Sequence, residues 1–236
     1  MSNSSDTGLK RAFSLDLWAQ AAHDLRQPIQ SLLLLTQVMA DTQDQLKRQQ
    51  TARTMEDALV RLQAMLDELV GLGRLEAELD GQKMAPCSLS DIAATAVREV
   101  AAAAAERTVS IVCTIAPVAV TSHARLLEKV VAALVLNALH FGIGQDIRID
   151  YRPAGDAHRI EIAFEGSPVS TPQQRLAFIE LRSLDGQSPM RIVPGLGFIR
   201  QLSGLIGCVI ECATLSKHRQ RLCLVLPSRG SVNEPI

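Results

Sequence analysis

Two long apolar stripes, separated by a four-residue polar break, constrain this chain more than any other feature. From about Lys10 to Ala40 there is no glycine and a single proline. Leu15, Trp18, Ala22, Leu25, Ile29, Leu32, Leu35 and Met39 recur three and four apart, the repeat of one helix face. Asp41-Thr42-Gln43-Asp44 interrupts the pattern. A second helix is predicted over Gln45–Leu79, striped by Met55, Leu59, Leu62, Leu66, Leu69, Leu72 and Leu75. Two long helices joined by so short a turn fold back antiparallel. An isolated hairpin cannot bury both stripes. Two copies can, as a four-helix bundle, so a homodimer is expected, with Leu32, Leu35, Leu62, Leu66 and Leu69 needing partners. The competing arrangement buries the stripes against the rest of the same chain.

The remainder changes character. Met1–Gly8 is polar and Ser-rich, the composition of a disordered tail. Asp80–Ser90, with Gly81, Pro86 and Ser88, reads as a linker and helix start. An Ala-rich helix is predicted over Leu89–Glu106 and a very apolar one over His123–Phe141. Strands are predicted at Val109–Ile115, Val118–Thr121, Ile147–Tyr151, Arg159–Phe164, Cys208–Thr214 and Gln220–Leu226, with a further helix at Leu196–Ile206. Gly166–Pro194 is rich in proline and glycine and reads as irregular. Strands in runs with helices to one side make a two-layer α/β sandwich, so the fold class is α+β. The expected division is a tail over 1–9, the hairpin over 10–80, a linker over 81–90, the sandwich over 91–228 and a tail over 229–236.

Composition narrows the functional classes. The net charge of −1 over 236 residues gives no global field for nucleic acid or an anionic membrane. The five cysteines are odd in number and form no Cys-x-x-Cys pair, which fits reduced, packed thiols. No apolar run reaches the roughly 18 residues that span a bilayer, and the first residues carry no signal-peptide pattern. A cytoplasmic protein without a membrane or nucleic-acid partner is expected, with no room for a sensor domain.

Within the first helix lies Ala22-His23-Asp24-Leu25-Arg26-Gln27-Pro28. Imidazole is a nucleophile near neutral pH, since its unperturbed pKa is about 6.5. Asp24 is placed to accept or orient the imidazole proton. Pro28 has no N–H for the carbonyl of Asp24, so the helix is expected to bend or loosen just after His23. This string resembles the H-box of sensor histidine kinases, His-Glu/Asp-x-Arg-x-Pro. The resemblance implies that His23 carries a phosphoryl group, with Asp24 as base and orienter. It makes Arg26 an electrostatic partner and Gln27, four after the histidine, a residue positioned for water-directed phosphatase action.

The order of hairpin then sandwich resembles a histidine kinase core from about Leu15 to Pro227. Asn137-Ala138-Leu139-His140-Phe141 and the helix before it resemble the N-box. Asn137 matches the Mg²⁺-holding asparagine, while the family's first N-box asparagine falls on Ala133 and its lysine on His140. Glu165-Gly166-Ser167-Pro168 stands where the family has Asp-x-Gly-x-Gly. Aligned on Gly166, Phe164 takes the place of the aspartate that receives the adenine amino group, and Pro168 that of the second glycine. A one-residue slip puts Glu165 there instead. In Pro194-Gly195-Leu196-Gly197 only Gly195 falls on a motif glycine. Phenylalanine accepts no hydrogen bond.

The resemblance therefore implies a phosphorelay protein of the ChpT type, a histidine phosphotransferase built like a kinase core. Phosphate would move between His23 and the aspartate of a response-regulator receiver domain, with a hybrid kinase as a possible upstream partner. No resident cofactor is expected, and Mg²⁺ would come with the receiver. The alternatives are an ATP-dependent kinase core with divergent boxes, using Asn137, Gly166 and Gly195 for Mg-ATP, and a non-enzymatic dimeric adaptor that binds a receiver.

Overall fold

The computed structural model describes residue 22 and residues 25–79, 84–166, 179–182 and 191–227. The chain divides into two compact units, one of residues 1–74 with 178–192, the other of residues 75–177 with 193–236. The first holds helix α1 (residues 25–41) and most of α2 (Gln45–Leu79). Asp44 starts α2: its Oδ1 accepts from the backbone N–H of Leu46 at 2.9 Å and of Lys47 at 3.4 Å, satisfying two otherwise orphaned donors. The helix is continuous through Pro28 from residue 25, and Pro28 is buried. The bend expected just after His23 falls outside the described residues.

Of the five leucines expected to need a partner copy, Leu69 is already buried within one chain, beside Met65 on the same face of α2. Leu32, Leu35 and Leu62 are half-buried. Only Leu66 stays open, 48% exposed, and Leu59 and Val70 on the same flank are 52% and 53% exposed. The inward stripe is thus partly covered within one chain. The uncovered apolar surface is a second stripe beside it. α1 likewise leaves Leu33 and Leu34 exposed.

The second unit is built on a five-stranded mixed sheet. Its strands are β2 (Ser110–Cys113), β4 (Gly142–Ala154), β5 (Ala157–Gly166), β8 (Val209–Thr214) and β9 (Arg219–Leu226), in the order β2-β4-β5-β9-β8. β2 runs parallel to β4 and every other pairing is antiparallel. β1 (Ala85–Ser88) and β3 (Ala119–Ser122) form a separate antiparallel pair; β6 (Ile179–Arg182) and β7 (Arg191–Pro194) form a third, two-stranded sheet, of which β6 and the first residues of β7 cluster with the first unit. β1 lies in the stretch expected to be a linker. β6 and β7 lie in the stretch expected to be irregular.

Among the described residues three helices, α3 (Leu89–Glu106), α4 (Ala124–Phe141) and α5 (Leu196–Leu205), complete the sandwich. α3 buries Leu89, Ile92, Ala93, Ala96, Val100 and Ala104, one face at helical spacing. α4 packs against α3, α5 and strands β4, β5 and β9, and is buried on almost every side from Leu126 to Phe141. Its charges, Arg125, Glu128 and Lys129, are confined to the first turns. The facing sheet surface is Ile147, Ile149, Ile160, Ile162, Leu222 and Leu224, all buried. At about 25 cal/mol per Å² of apolar surface removed from water, this layer is the main source of stability.

The cysteines are all free. Burial pushes the Cys208 thiol up to about 12 and the Cys223 thiol up to about 11. Both are therefore protonated packing groups at neutral pH, as the odd count and spacing predicted.

Two backbone positions give direct tests. α3 ends with the N–H of Val109 donating to Ala104 O and that of Thr108 to Ala105 O, both 3.0 Å. This closure places Thr108 at φ 55°, a left-handed conformation that suits glycine and disfavours a β-branched side chain. Thr108→Gly is expected to stabilise the second unit by about 1 kcal/mol, read as a higher denaturation midpoint. Gly166 is tight for a different reason: an added Cβ would lie 2.3 Å from the carbonyl oxygen of Phe141, where α4 runs into β4. Backbone cannot give way cheaply. Gly166→Ala is expected to cost about 1–3 kcal/mol as overpacking, and a midpoint equal to that of the unchanged chain would refute the close contact.

Candidate functional site

Two sets of residues were singled out, one on each unit. On α1, Arg26 and Gln27 are exposed and Pro28 is buried, so the strand of side chains following the histidine presents its polar members to solvent. Ala22 is helical and exposed. His23 and Asp24 lie outside the described residues.

On the second unit, strand alternation sends Phe164 and Glu165, the two residues of the alternative alignments, to opposite faces. Ile160, Ile162 and Phe164 share the buried face of β5 that α4 covers. Phe164 is 2% exposed, pairs across the sheet with Ile147 and Gln220, and lies with its ring against Gly166. Glu165 points the opposite way and is exposed, its side chain beside Gly144. Phe164, the residue that the resemblance aligns with a carboxylate, is thus buried on the helix side of the sheet.

The ring's neighbour Gln220 is 2% exposed, yet its amide is paired at both ends. Its Nε2 donates to Gly166 O at 3.4 Å, and its Oε1 accepts from Thr214 Oγ1 at 2.8 Å. A buried amide without such partners would be costly. Gly166 N–H also donates to His218 O at 2.8 Å. Gly166, Phe164, Gln220 and Thr214 thus close on one another through protein groups. Sequence reading missed Gln220 as a member of this cluster. The signal was present: a glutamine at the inward parity of an otherwise apolar strand, Gln220, Leu222, Leu224, Leu226.

Asn137 is fully buried on α4, and its Nδ2 donates to Ala133 O at 3.0 Å, one turn back on the same helix. His140 is buried near the end of that helix. Gly195 is buried at the start of α5 with φ −71° and ψ 158°, and its carbonyl accepts from Ile199 N–H at 3.1 Å. Its backbone angles are open to any residue. Among the described residues no group of three or more His, Cys, Asp or Glu side chains is clustered to hold a metal ion.

The opposite face of the sheet carries a charged lattice that no motif announced. Glu161, 6% exposed, receives Arg152 Nε at 3.0 Å and Arg221 Nη1 at 3.2 Å, with Arg159 Nη1 at 3.9 Å. Arg159 also reaches Glu211 at 3.0 Å. Cys223 lies in register with both glutamates and is buried beneath the long side chains.

Comparison with known proteins gives a family match to one segment and structural matches over more of the chain. Residues 14–78 match the His Kinase A (phospho-acceptor) domain family. No curated protein sequence matches the chain. Among solved structures, histidine kinase AdeS of Acinetobacter baumannii superposes with a TM-score of 0.56 at 14% identity, covering 88% of this chain and 98% of that one. The mycobacterial sensor histidine kinase MprB gives 0.51 at 14% identity, over 62% of this chain and 98% of that one. No described helix is long and apolar enough to cross a membrane. The hairpin segment is thus a match to the phospho-acceptor domain, and the chain has the α+β fold of a histidine kinase core.

Proposed function

We propose that this chain is a histidine phosphotransferase of a phosphorelay, with His23 as the phosphoryl carrier. The observation that carries the reading is the match of residues 14–78 to a phospho-acceptor domain around His23-Asp24-x-Arg26-x-Pro28. In the proposed step an imidazole nitrogen of His23 attacks the phosphorus of an aspartyl phosphate on a receiver domain. A P–N bond forms as the P–O bond to the aspartate breaks, and the carboxylate leaves. Asp24 orients the ring and takes up its proton. Arg26, exposed on α1, is available to the phosphoryl oxygens or to the receiver surface. Gln27, also exposed, directs water for the opposing hydrolysis. Mg²⁺ enters with the receiver's acidic pocket, and an upstream hybrid kinase is the proposed source of the phosphorylated receiver.

Weak or lost ATP binding is part of the same proposal. Its support is Phe164, buried where a carboxylate would meet adenine, and Gln220, whose amide is already satisfied. Asn137 is fully buried, with its Nδ2 bonded to Ala133 O of its own helix, and no step of the proposal is routed through Mg-ATP. The second reading, an ATP-dependent kinase core, draws on the fold likeness to AdeS and MprB. A third reading, a dimeric adaptor that moves no phosphate, is disfavoured by the intact His23-Asp24 pair.

One labelling experiment separates the three readings. A receiver phosphorylated on aspartate is expected to transfer label to this chain in an acid-labile, base-stable form, and radiolabelled Mg-ATP is not. His23→Ala is expected to abolish labelling, and Asp24→Asn to slow it by roughly 10²–10⁴-fold. Labelling from ATP alone would favour the kinase reading, and none from either donor the adaptor. Label persisting in His23→Ala would refute His23 as carrier.

A homodimer through the hairpin is proposed on the flank formed by Leu59, Leu66 and Val70, which one chain leaves open. Leu66→Asp is expected to convert a dimer to a monomer in light scattering while helical circular dichroism persists. In one chain that position is half in water, so the cost of the charge falls on association rather than on the hairpin. A parent protein that is monomeric at micromolar concentration would remove the claim.

A further inference from the structure

We propose that the open edge of β8 is a docking site for the same strand of a second copy, which continues the sheet across a twofold axis. Among the described strands, β2 and β8 stand at the two ends of the five-stranded sheet. Proteins blunt such edges with short strands, lysine, proline or a bulge. β2 is short, four residues against the thirteen of β4. β8 uses none of these devices. Val209-Ile210-Glu211-Cys212-Ala213-Thr214 runs for six residues in unbroken register with β9, without lysine, arginine or proline. Its single charge, Glu211, is drawn inward over the sheet to Arg159 at 3.0 Å. Apolar residues stand open at both ends, Val209 at 59% and Leu215 at 48% exposure.

Backbone and side chains together select a second copy as the occupant. The N–H of Leu215 donates to Arg219 O at 2.8 Å, so by ladder alternation the odd-numbered residues of β8 turn their main-chain groups to β9. Those of Ile210, Cys212 and Thr214 are directed to the edge. An antiparallel copy therefore pairs even residue with even residue, and two central registers satisfy that. Centred on Glu211, two carboxylates stand directly opposite, which is unfavourable. Centred on Cys212, the whole strand is self-complementary. Ile210 meets the partner's Thr214 and Thr214 the partner's Ile210, giving about six main-chain hydrogen bonds with the central pair. Val209 then meets the partner's Leu215, so both open apolar residues are covered. Glu211 meets the partner's Ala213. Ala213 lies in register with Arg221 one strand inward, so only a methyl group separates Glu211 from the partner's Arg221. The seam is smaller than a standard stable interface, so the pairing is weak by itself. It lies wholly within the sheet unit and does not rest on phosphotransfer.

The test is sedimentation equilibrium on the full chain carrying Leu66→Asp, so that association through the hairpin does not mask the seam, at concentrations well above micromolar. A monomer–dimer step is expected. Ala213→Lys sets an ammonium opposite the partner's Glu211 and is expected to tighten that step by about tenfold, since symmetry presents the changed pair twice. Ala213→Glu is expected to weaken it by about as much. With Leu66 intact, the same three residues at position 213 are expected to rank in the same order. Residue-resolved amide exchange supplies the second readout: Ile210, Cys212 and Thr214 are expected to slow as concentration rises, and the amides of β2 are not. A chain that stays monomeric at every concentration would overturn the proposal. So would an association indifferent to the charge at position 213, or one that protects amides elsewhere and leaves β8 unchanged.

Discussion

The sheet unit depends on α4 being sealed on nearly all sides. A helix that touches two other helices and three strands can carry almost no polar residues beyond its first turns, and from Val130 onward its only polar side chains are Asn137 and His140. The same constraint fixes what happens at its end. α4 runs straight into β4 at Gly142, and an added Cβ there would lie 2.6 Å from Ala138 O. Gly142 pairs with Gly166, which has equally little room. The two glycines let strand and helix meet without a loop. Gly166, which the resemblance gives to Mg-ATP in the kinase alternative, thus has a packing reason of its own.

That double duty explains why the second site was harder to read than the first. The H-box is a string of defined residue types at fixed spacing, and it is legible without coordinates. The nucleotide boxes are judged by which side of a strand a residue occupies, and one residue of slip reverses the answer. The apolar alternation Ile160, Ile162, Phe164 predicted an inward Phe164, and it is buried beside Gln220. What the sequence did not display was the internal pairing of Gln220 with Gly166 and Thr214, which joins residues far apart in the chain.

The fold itself was legible wherever periodicity ran long. α3 spans the predicted Leu89–Glu106, and α2 the predicted Gln45–Leu79. β4 and β5 extend several residues past their apolar cores, because a two-residue turn at Gly155–Asp156 lets the ladder run to its tip. β1 escaped notice since Ala85-Pro86-Cys87-Ser88 has turn chemistry and becomes a strand only by pairing with β3. Here tertiary contact overrides local propensity. In the hairpin, Leu69 was expected to need a partner copy and is instead buried beside Met65 within one chain.

The arginine lattice around Glu161 has a consequence for how the sheet behaves in solution. Its outward surface is walled by guanidinium groups whose aliphatic stems roof over Cys223, while Arg152 keeps 67% of its side chain in water. Another flat sheet laid on that surface would have to strip water from Arg152 and Glu211 and leave a carboxylate shared by three cations in a dry interface. Desolvation of that kind exceeds the attraction gained. The face opposite the helices is therefore resistant to stacking, in contrast to the open leucine flank of the hairpin.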